Sequence, residues 1–416
     1  MRTLASKFRD SRKLALAVLI LLLAAGAAAR FSNPNAFPRT RDEATYFFYA
    51  GILEQHGWLT NPRIVQKYNQ TRNLWMTPAP TRIGYTALLA ECIALSGLHD
   101  TRPGVWLSML ASTLTTVVVA VWVWNWLGPL AALATSLLLV VSPLELGMAQ
   151  RIWQDSFFGF LAASLLALSW AIARRPTRWL CAGFLAAAFY APLVKESSAL
   201  LVGLCSLWTL AHLKRPQALP FAGAIAGALA ASLLVLAGAA GGFSELLSAV
   251  HHMKEAAASN RYALGYQNGS WSEIATGMWL LSPGTLLLAL GSAVVALRAK
   301  NSELRALSLY AAIWIALVSV TPNFHSLRYL SVANAALCVL AGAGAADAWK
   351  RLSAHGGAAG MRIALVVALA AVAFADFWNA RKIFVWNRTD DLVTTYLSAH
   401  SIYRIGPPPD AARVPQ

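Results

Sequence analysis

The feature that most constrains this chain is a series of apolar runs long enough to cross a lipid bilayer. The first, "LALAVLILLLAAGAAA" at residues 14–29, follows a basic segment, "MRTLASKFRDSRK". A hydrocarbon core about 30 Å thick requires about 20 apolar residues in a helix. Further runs lie near 104–126, 129–147, 156–173, 179–194, 197–213, 219–239, 276–297, 306–320, 329–346 and 361–378. Backbone polar groups cannot stay unpaired in lipid, so these runs are expected to be helices. Charged residues are 12% of the chain and hydrophobic residues 57%, where a soluble domain carries about 25% charge. A soluble fold is excluded. The expected class is all-α, a polytopic transmembrane helical bundle of about 11 spans.

Sidedness follows from charge. The N-terminal segment could pass for a signal peptide, but the many spans that follow favour an uncleaved first span with the N-terminus inside. Residues 32–103 then form a long first extracytoplasmic loop containing interfacial helices. Within it, "GYTALLAECIALSGL" (84–98) is short and carries Glu91. If that run does not cross, the clusters Arg174-Arg175-Arg178, Lys214-Arg215, Arg298-Lys300-Arg305 and Lys350-Arg351-Arg362 all fall inside, as the positive-inside rule requires. If it crosses, all fall outside. The net charge of +16 is therefore a topology signal, and no nucleic-acid partner is needed to explain it. Cys92, Cys181, Cys205 and Cys338 lie in apolar stretches without a C-x-x-C pair, and read as small core residues.

This topology gathers charge at the outer helix ends. Asp42 and Glu43 follow span one in "PRTRDEATYFFYAGILEQHGW" (38–58), and Arg151 and Asp155 lie in "ELGMAQRIWQDSFFGF". Lys195 and Glu196 make the turn in "PLVKESSALL"; His325, Arg328 and Tyr329 come from "TPNFHSLRYLS". Charge near hydrocarbon is costly and faces a cavity or a partner. Each element also has a plain structural explanation. Asp42 and Glu43 can cap a helix, Arg151 and Asp155 can pair along one, and Lys195 and Arg328 can snorkel. The adjacent His251 and His252 point about 100° apart on a helix and make a poor metal site. The convergence of four segments at one depth is the stronger signal.

Sugar transfer from a lipid-linked phosphate to an acceptor hydroxyl demands such a set. A carboxylate takes the hydroxyl proton, and Lys or Arg stabilises the leaving phosphate. A second acid orients the sugar or holds a divalent cation such as Mg or Mn; the residues fit the chemistry with or without a cation. Asp42, Asp155, Lys195 and Arg328 are therefore expected to line one outward-facing cavity.

The same stretches resemble the GT-C class of integral-membrane glycosyltransferases, and most nearly its protein mannosyltransferases and the aminoarabinose transferases that act on lipid A. Carrying the likeness are "RDEATYFFYAGILEQHG", the R-x-x-x-D of "RIWQD", the Lys-Glu turn of "LVKESSALL", and the late Arg-Tyr of "SLRYLSVANAALCVLAG", over residues 10–350. The resemblance implies a polyprenyl-phosphate sugar donor and a lipid, glycan or protein acceptor. It implies Asp42 as acceptor base with Glu43 beside it, and Asp155 positioning the acceptor or a cation. It implies Lys195 and Arg328 on the donor phosphate, with Arg151, Glu196, His325 and Tyr329 as further binding residues. One departure stands out. Where relatives carry a His- or Lys-Pro-Pro segment, this chain reads "WMTPAPTRIGY"; Met76 and Thr77 replace the charge, leaving Arg72 or Arg82 to supply it.

The expected organisation is one catalytic module over 1–350, a last span in 351–378, and a short, partly disordered outer tail at 379–416. The outer loop 241–273, with Tyr262, Tyr266 and Trp271, suits acceptor stacking and equally suits an amphipathic interfacial helix. The expected location is a bacterial inner membrane, with the site facing the periplasm. The runner-up is a transporter or flippase of a lipid-linked sugar. It is disfavoured because no repeated halves are evident and the interior spans read as nearly free of ionisable groups. A non-catalytic scaffold would not need acids and bases at matched depth.

Overall fold

The computed structural model describes residues 2–32, 40–259, 270–321, 325–354 and 359–386. In chain order its helices are α1 (Arg2–Phe31), α2 (Arg41–His56), α3 (Asn61–Gln70), α4 (Ile83–Ser96), α5 (Arg102–Trp126) and α6 (Pro129–Val141). There follow α7 (Pro143–Ala149), α8 (Gln154–Arg174), α9 (Arg178–Val194), α10 (Ser198–His212), α11 (Arg215–Ala240) and α12 (Phe243–Ser259). The last are α13 (Ser272–Leu281), α14 (Pro283–Arg298), α15 (Ser302–Val320), α16 (Ser331–Ala354) and α17 (Ala359–Ala380). No strand occurs among the described residues, and the all-α expectation is met. The tail beyond residue 386 and the loop residues Tyr262 and Tyr266 lie outside the described residues.

Seven helices are long and apolar enough to cross a membrane: Arg12–Phe31, α5, α8, α11, α15, Leu327–Ala354 and Ala359–Phe384. Two expected spans are broken. Helices α6 and α7 bend by 51° at Ser142-Pro143, and α13 and α14 fold back by 113° at Ser282-Pro283. Residues 276–297 therefore do not form one continuous helix. A residue before proline is driven out of the helical region, and both breaks fall at a Ser-Pro step. Three apolar helices are shorter: α4, α9 and α10. The 14 residues of α4 reach only about 21 Å. That is short of the hydrocarbon thickness, in keeping with a segment that does not cross.

Helix α16 runs through the middle of the bundle between α6, α8, α14 and α15. Its small residues let neighbouring backbones come close, which is how helices pack where lipid removes the hydrophobic drive. A Cβ at Gly342 would lie 2.1 Å from Thr135 Oγ1 of α6. Gly84 does the same between α4 and α9, where a Cβ would lie 2.7 Å from Leu193 Cβ. Tyr190 adds a hydrogen bond to the Gly84 carbonyl at 2.7 Å. The end of α9, and with it Lys195, is thereby fixed against the first loop.

The interior is less free of charge than the sequence suggests: Arg30, Glu145 and Asp376 are all buried. The first and last of them serve the helix breaks. Arg30 donates to the Leu139 and Val140 carbonyls at 3.3 and 3.4 Å, and to Ser112 Oγ at 2.9 Å. Those carbonyls belong to the last turn of α6, which has no helical partners of its own. Glu145 accepts from Ser112 and Asn334. Asp376 accepts from Thr285, while Asn379 donates to the Leu280 and Leu281 carbonyls at the second break.

Candidate active site

Helix α2 begins with a capping box. The Thr40 hydroxyl accepts from the Glu43 amide at 3.3 Å, and the Glu43 carboxylate accepts from the Thr40 amide at 3.0 Å. Thr40 is thus the cap and Glu43 its reciprocal partner, while Asp42 stands free of that duty on the first turn. The two adjacent acids separate by function. Glu43 is 1% exposed, forms an ion pair with Arg151 at 3.3 Å and accepts from the Ile152 amide at 3.1 Å. It fastens the loop before α8 to the head of α2. Glu43 and Arg151, both expected in the catalytic and binding set, are buried and pair with each other. Arg151 and Asp155 do not pair with each other, because α8 starts only at Gln154.

Asp42 faces the other way, 32% exposed, with Arg328 Nη1 at 3.2 Å from its Oδ2. A carboxylate on the first turn of a helix is also favoured by the helix dipole. Arg328 continues to the Tyr329 hydroxyl at 3.1 Å and lies over the Tyr329 and Trp153 rings at 5.0 and 4.9 Å. Lys195 Nζ lies 4.6 Å over the same Tyr329 ring and 2.5 Å from Asp155 Oδ1. Asp42, Arg328, Tyr329, Lys195 and Asp155 thus form one unbroken string of contacts, drawn from α2, the turn before α16, the α9–α10 turn and the start of α8. They meet through direct contact.

Burial grades the string. Asp155 is 2% exposed and Lys195 8%, so they form its floor, and Asp42 is the accessible acid. Burial pushes the Lys195 ammonium below its ordinary value; Asp155 opposes this, and the charges of Arg82 and Arg328 add to it. Lys195 thus feels two neighbouring cations, a cost that an arriving anion would relieve.

Arg82 is the cation that the first loop supplies. It makes a forked contact to Glu196, with Nε and Nη2 at 3.1 Å from its carboxylate oxygens, and it donates to the Tyr46 hydroxyl. Burial alone would raise the Glu196 carboxyl, but the Arg82 charge and hydrogen bonds outweigh it and hold the group below its ordinary value. Arg72 is exposed on a short turn. Glu196, expected as a binding residue, orients Arg82. His325 turns to another carboxylate, with Nδ1 3.6 Å from Glu273 Oε2 at the head of α13.

Of the two arginines the sequence offered for the first loop, Arg82 is the one at the site; sequence reasoning missed Tyr46, Trp153 and Thr40. Trp153 donates from Nε1 to Thr40 Oγ1 at 3.2 Å and lies under both Arg151 and Arg328. Its position inside "RIWQD" was the available signal. Around the site, the first loop carries exposed Phe48, Trp58 and Leu59, while Trp58 Nε1 donates to Glu91 at 3.2 Å and ties the turn after α2 to α4. His252 stacks on Trp75 at 3.8 Å and Asn69 donates to Glu245 at 2.6 Å, joining amphipathic α12 to α3.

Among the described residues no three His, Cys, Asp or Glu side chains come together to hold a metal ion. Asp42, Glu43, Asp155 and Glu196 each face their own cation, a donor set that does not fit a shared divalent ion.

Comparison with solved structures places this fold. The chain is similar to ArnT from Cupriavidus metallidurans bound to undecaprenyl phosphate, with a TM-score of 0.58 and 17% identity over 92% of this chain and 68% of that one. The apo state of the same protein matches with a TM-score of 0.56 over 94% and 69% of the two chains, again at 17% identity. The archaeal oligosaccharyltransferase AglB from Archaeoglobus fulgidus, in complex with an inhibitory peptide and a dolichol-phosphate, matches with a TM-score of 0.55. That identity is 13%, over 98% of this chain and 61% of that one. No protein-family model and no curated protein matches the chain. The chain shares the fold of these solved structures, the all-helical fold that the resemblance to the GT-C class implied.

Proposed function

We propose that this protein is a glycosyltransferase that moves a sugar from a polyprenyl-phosphate-linked donor to an acceptor hydroxyl. The observation that carries the reading is the string from Asp42 to Asp155, which joins one accessible carboxylate to a cluster of cations at the head of an interfacial helix. The fold-level likeness to ArnT bound to undecaprenyl phosphate and AglB with a dolichol-phosphate supports a lipid-phosphate donor.

Asp42 accepts the acceptor's hydroxyl proton as the oxygen attacks the anomeric carbon. The bond from that carbon to the phosphate oxygen breaks, and its electron pair leaves with the lipid phosphate. Arg328, Lys195 and Arg82 stabilise the charge that develops there. Arg328 Nη1 takes Asp42 Oδ2, but a carboxylate offers about four lone-pair positions. Arg328 can therefore orient the base while it binds the donor. Asp155 keeps Lys195 in place, and Glu196 does the same for Arg82. The site is read as facing the outside of a bacterial inner membrane, because the basic clusters of the inner loops then obey the positive-inside rule.

The test uses purified protein and undecaprenyl-phosphate-linked sugars. A transferase releases undecaprenyl phosphate and passes the sugar to acceptor or water. A transporter or flippase would move the lipid-linked sugar between leaflets with the sugar–phosphate bond intact, and that outcome would overturn the reading.

A further inference from the structure

A second concave feature lies towards the other end of α8 from Asp155, with Trp170 about 22 Å along that helix. It is a cleft of about 260 Å³ between α5, α8, α10 and α15. Four tryptophans wall it: Trp122 and Trp126 of α5, Trp170 of α8 and Trp208 of α10. Trp122 and Trp126 stack at 5.5 Å, and Trp126 tilts against Trp170 at 6.0 Å. Leu207 and Leu309 at the rim are exposed, so the cleft opens sideways, towards hydrocarbon. An apolar cavity of about 150 Å³ already accommodates a benzene ring, and this one is larger.

A cation at the edge of the cleft points to a ligand with a polar end. Arg174 ends α8, lies 4.6 Å above the Trp170 ring and meets Glu303 at 3.0 Å while remaining half exposed. Arg175 and Arg178 follow, both exposed. The turn from α8 to α9 thus carries three arginines beside Glu303, which lines the cleft and also accepts from Trp126 Nε1.

We infer that this cleft holds one anionic phospholipid of the leaflet opposite the candidate active site. An acyl chain lies among the tryptophans, and the phosphate sits at Arg174 with its surplus charge met by Arg175 and Arg178. Basic pockets between membrane helices recognise anionic head groups in this way, and aromatic side chains with a polar tip suit the membrane interface. The inference is independent of the sugar-transfer reading.

Native mass spectrometry of the full chain, delipidated in detergent and supplied with dioleoyl phosphatidylglycerol, dioleoyl phosphatidylcholine or inorganic phosphate, tests it. One phosphatidylglycerol per chain should survive activation that strips phosphatidylcholine and phosphate. Arg174→Gln should cut that retention roughly fivefold, the effect of one basic residue at a membrane surface. Ala306→Trp, which fills the cleft, should abolish it. Arg174→Gln alters a half-exposed side chain and keeps the test valid if the cleft-filling variant does not fold. Equal retention of the two lipids, equal binding of inorganic phosphate, or phosphatidylglycerol retention unchanged by Arg174→Gln would each overturn the inference.

Discussion

The Lys195–Asp155 pair separates a structural role from a chemical one. Its atoms lie 2.5 Å apart with side chains 8% and 2% exposed, and Phe158 and Tyr329 cover the ammonium at 5.4 and 4.6 Å. Removing one partner strands a buried charge, which costs about 3–5 kcal/mol. At about 2 °C per kcal/mol, Lys195→Met or Asp155→Asn should lower the Tm in detergent by about 6–10 °C. Lys195→Met with Asp155→Leu removes both charges and fills the space with apolar atoms, a change that is often neutral. The double variant should regain most of the lost Tm but none of the sugar transfer, because the leaving phosphate has lost a cation. Thermal unfolding followed by tryptophan fluorescence, beside release of undecaprenyl phosphate, reads both quantities. Single variants that keep the Tm would refute the buried pairing. A double variant with full transfer would refute the part given to Lys195.

Glu43→Ala removes the capping box, the Arg151 pair and the Ile152 contact. It should destabilise by about 3 kcal/mol or more, seen as a fall in Tm, whereas Asp42→Ala should leave the Tm nearly unchanged. Glu196→Gln should flatten the acid limb of the stability profile. A carboxyl held below its ordinary value of 4.5 stabilises the fold above that value, and the contribution is lost as the pH falls through the folded value. The wild-type Tm should therefore drop more steeply than the variant's below about pH 4.5. Arg82→Lys keeps the charge but loses the fork to Glu196, and should raise the KM for the lipid-linked donor more than it lowers kcat. Trp153→Phe should cost about 1 kcal/mol for the lost hydrogen bond to Thr40, measured by the same thermal assay.

The helical class and the order of the helices were legible because apolar length is nearly all that a membrane span requires. Glu91 and the short run around it correctly marked α4 as unusual. The breaks were readable in principle, since Ser142-Pro143 and Ser282-Pro283 sit inside the two runs that bend. Hydropathy averages over such steps, and Pro192 and Pro220 lie within helices without ending them, so proline alone did not decide. Arg30 and Asp376 lie towards the ends of their runs, where snorkelling to water is the ordinary fate; that they turn inward depends on distant breaks, where freed carbonyls accept from Arg30 and the Thr285 hydroxyl donates to Asp376. The choice between Asp42 and Glu43 was hidden for a related reason. Which acid caps and which faces the site depends on Thr40 being the first cap residue, a phase that one position of error reverses. Arg82 was visible only as one of two arginines, because its partner Glu196 lies over a hundred residues away.

The central claim is that Asp42 is the base of a sugar transfer from a lipid phosphate. It is tested most directly by Asp42→Asn, which keeps the shape and a contact for Arg328 but cannot take a proton. With a panel of undecaprenyl-phosphate-linked sugars, the wild-type protein should release undecaprenyl phosphate. The variant should do so about 10²–10⁴-fold more slowly, with an unchanged Tm and undiminished binding of undecaprenyl phosphate. Full-rate release by the variant, or bond cleavage by neither protein, would contradict the account.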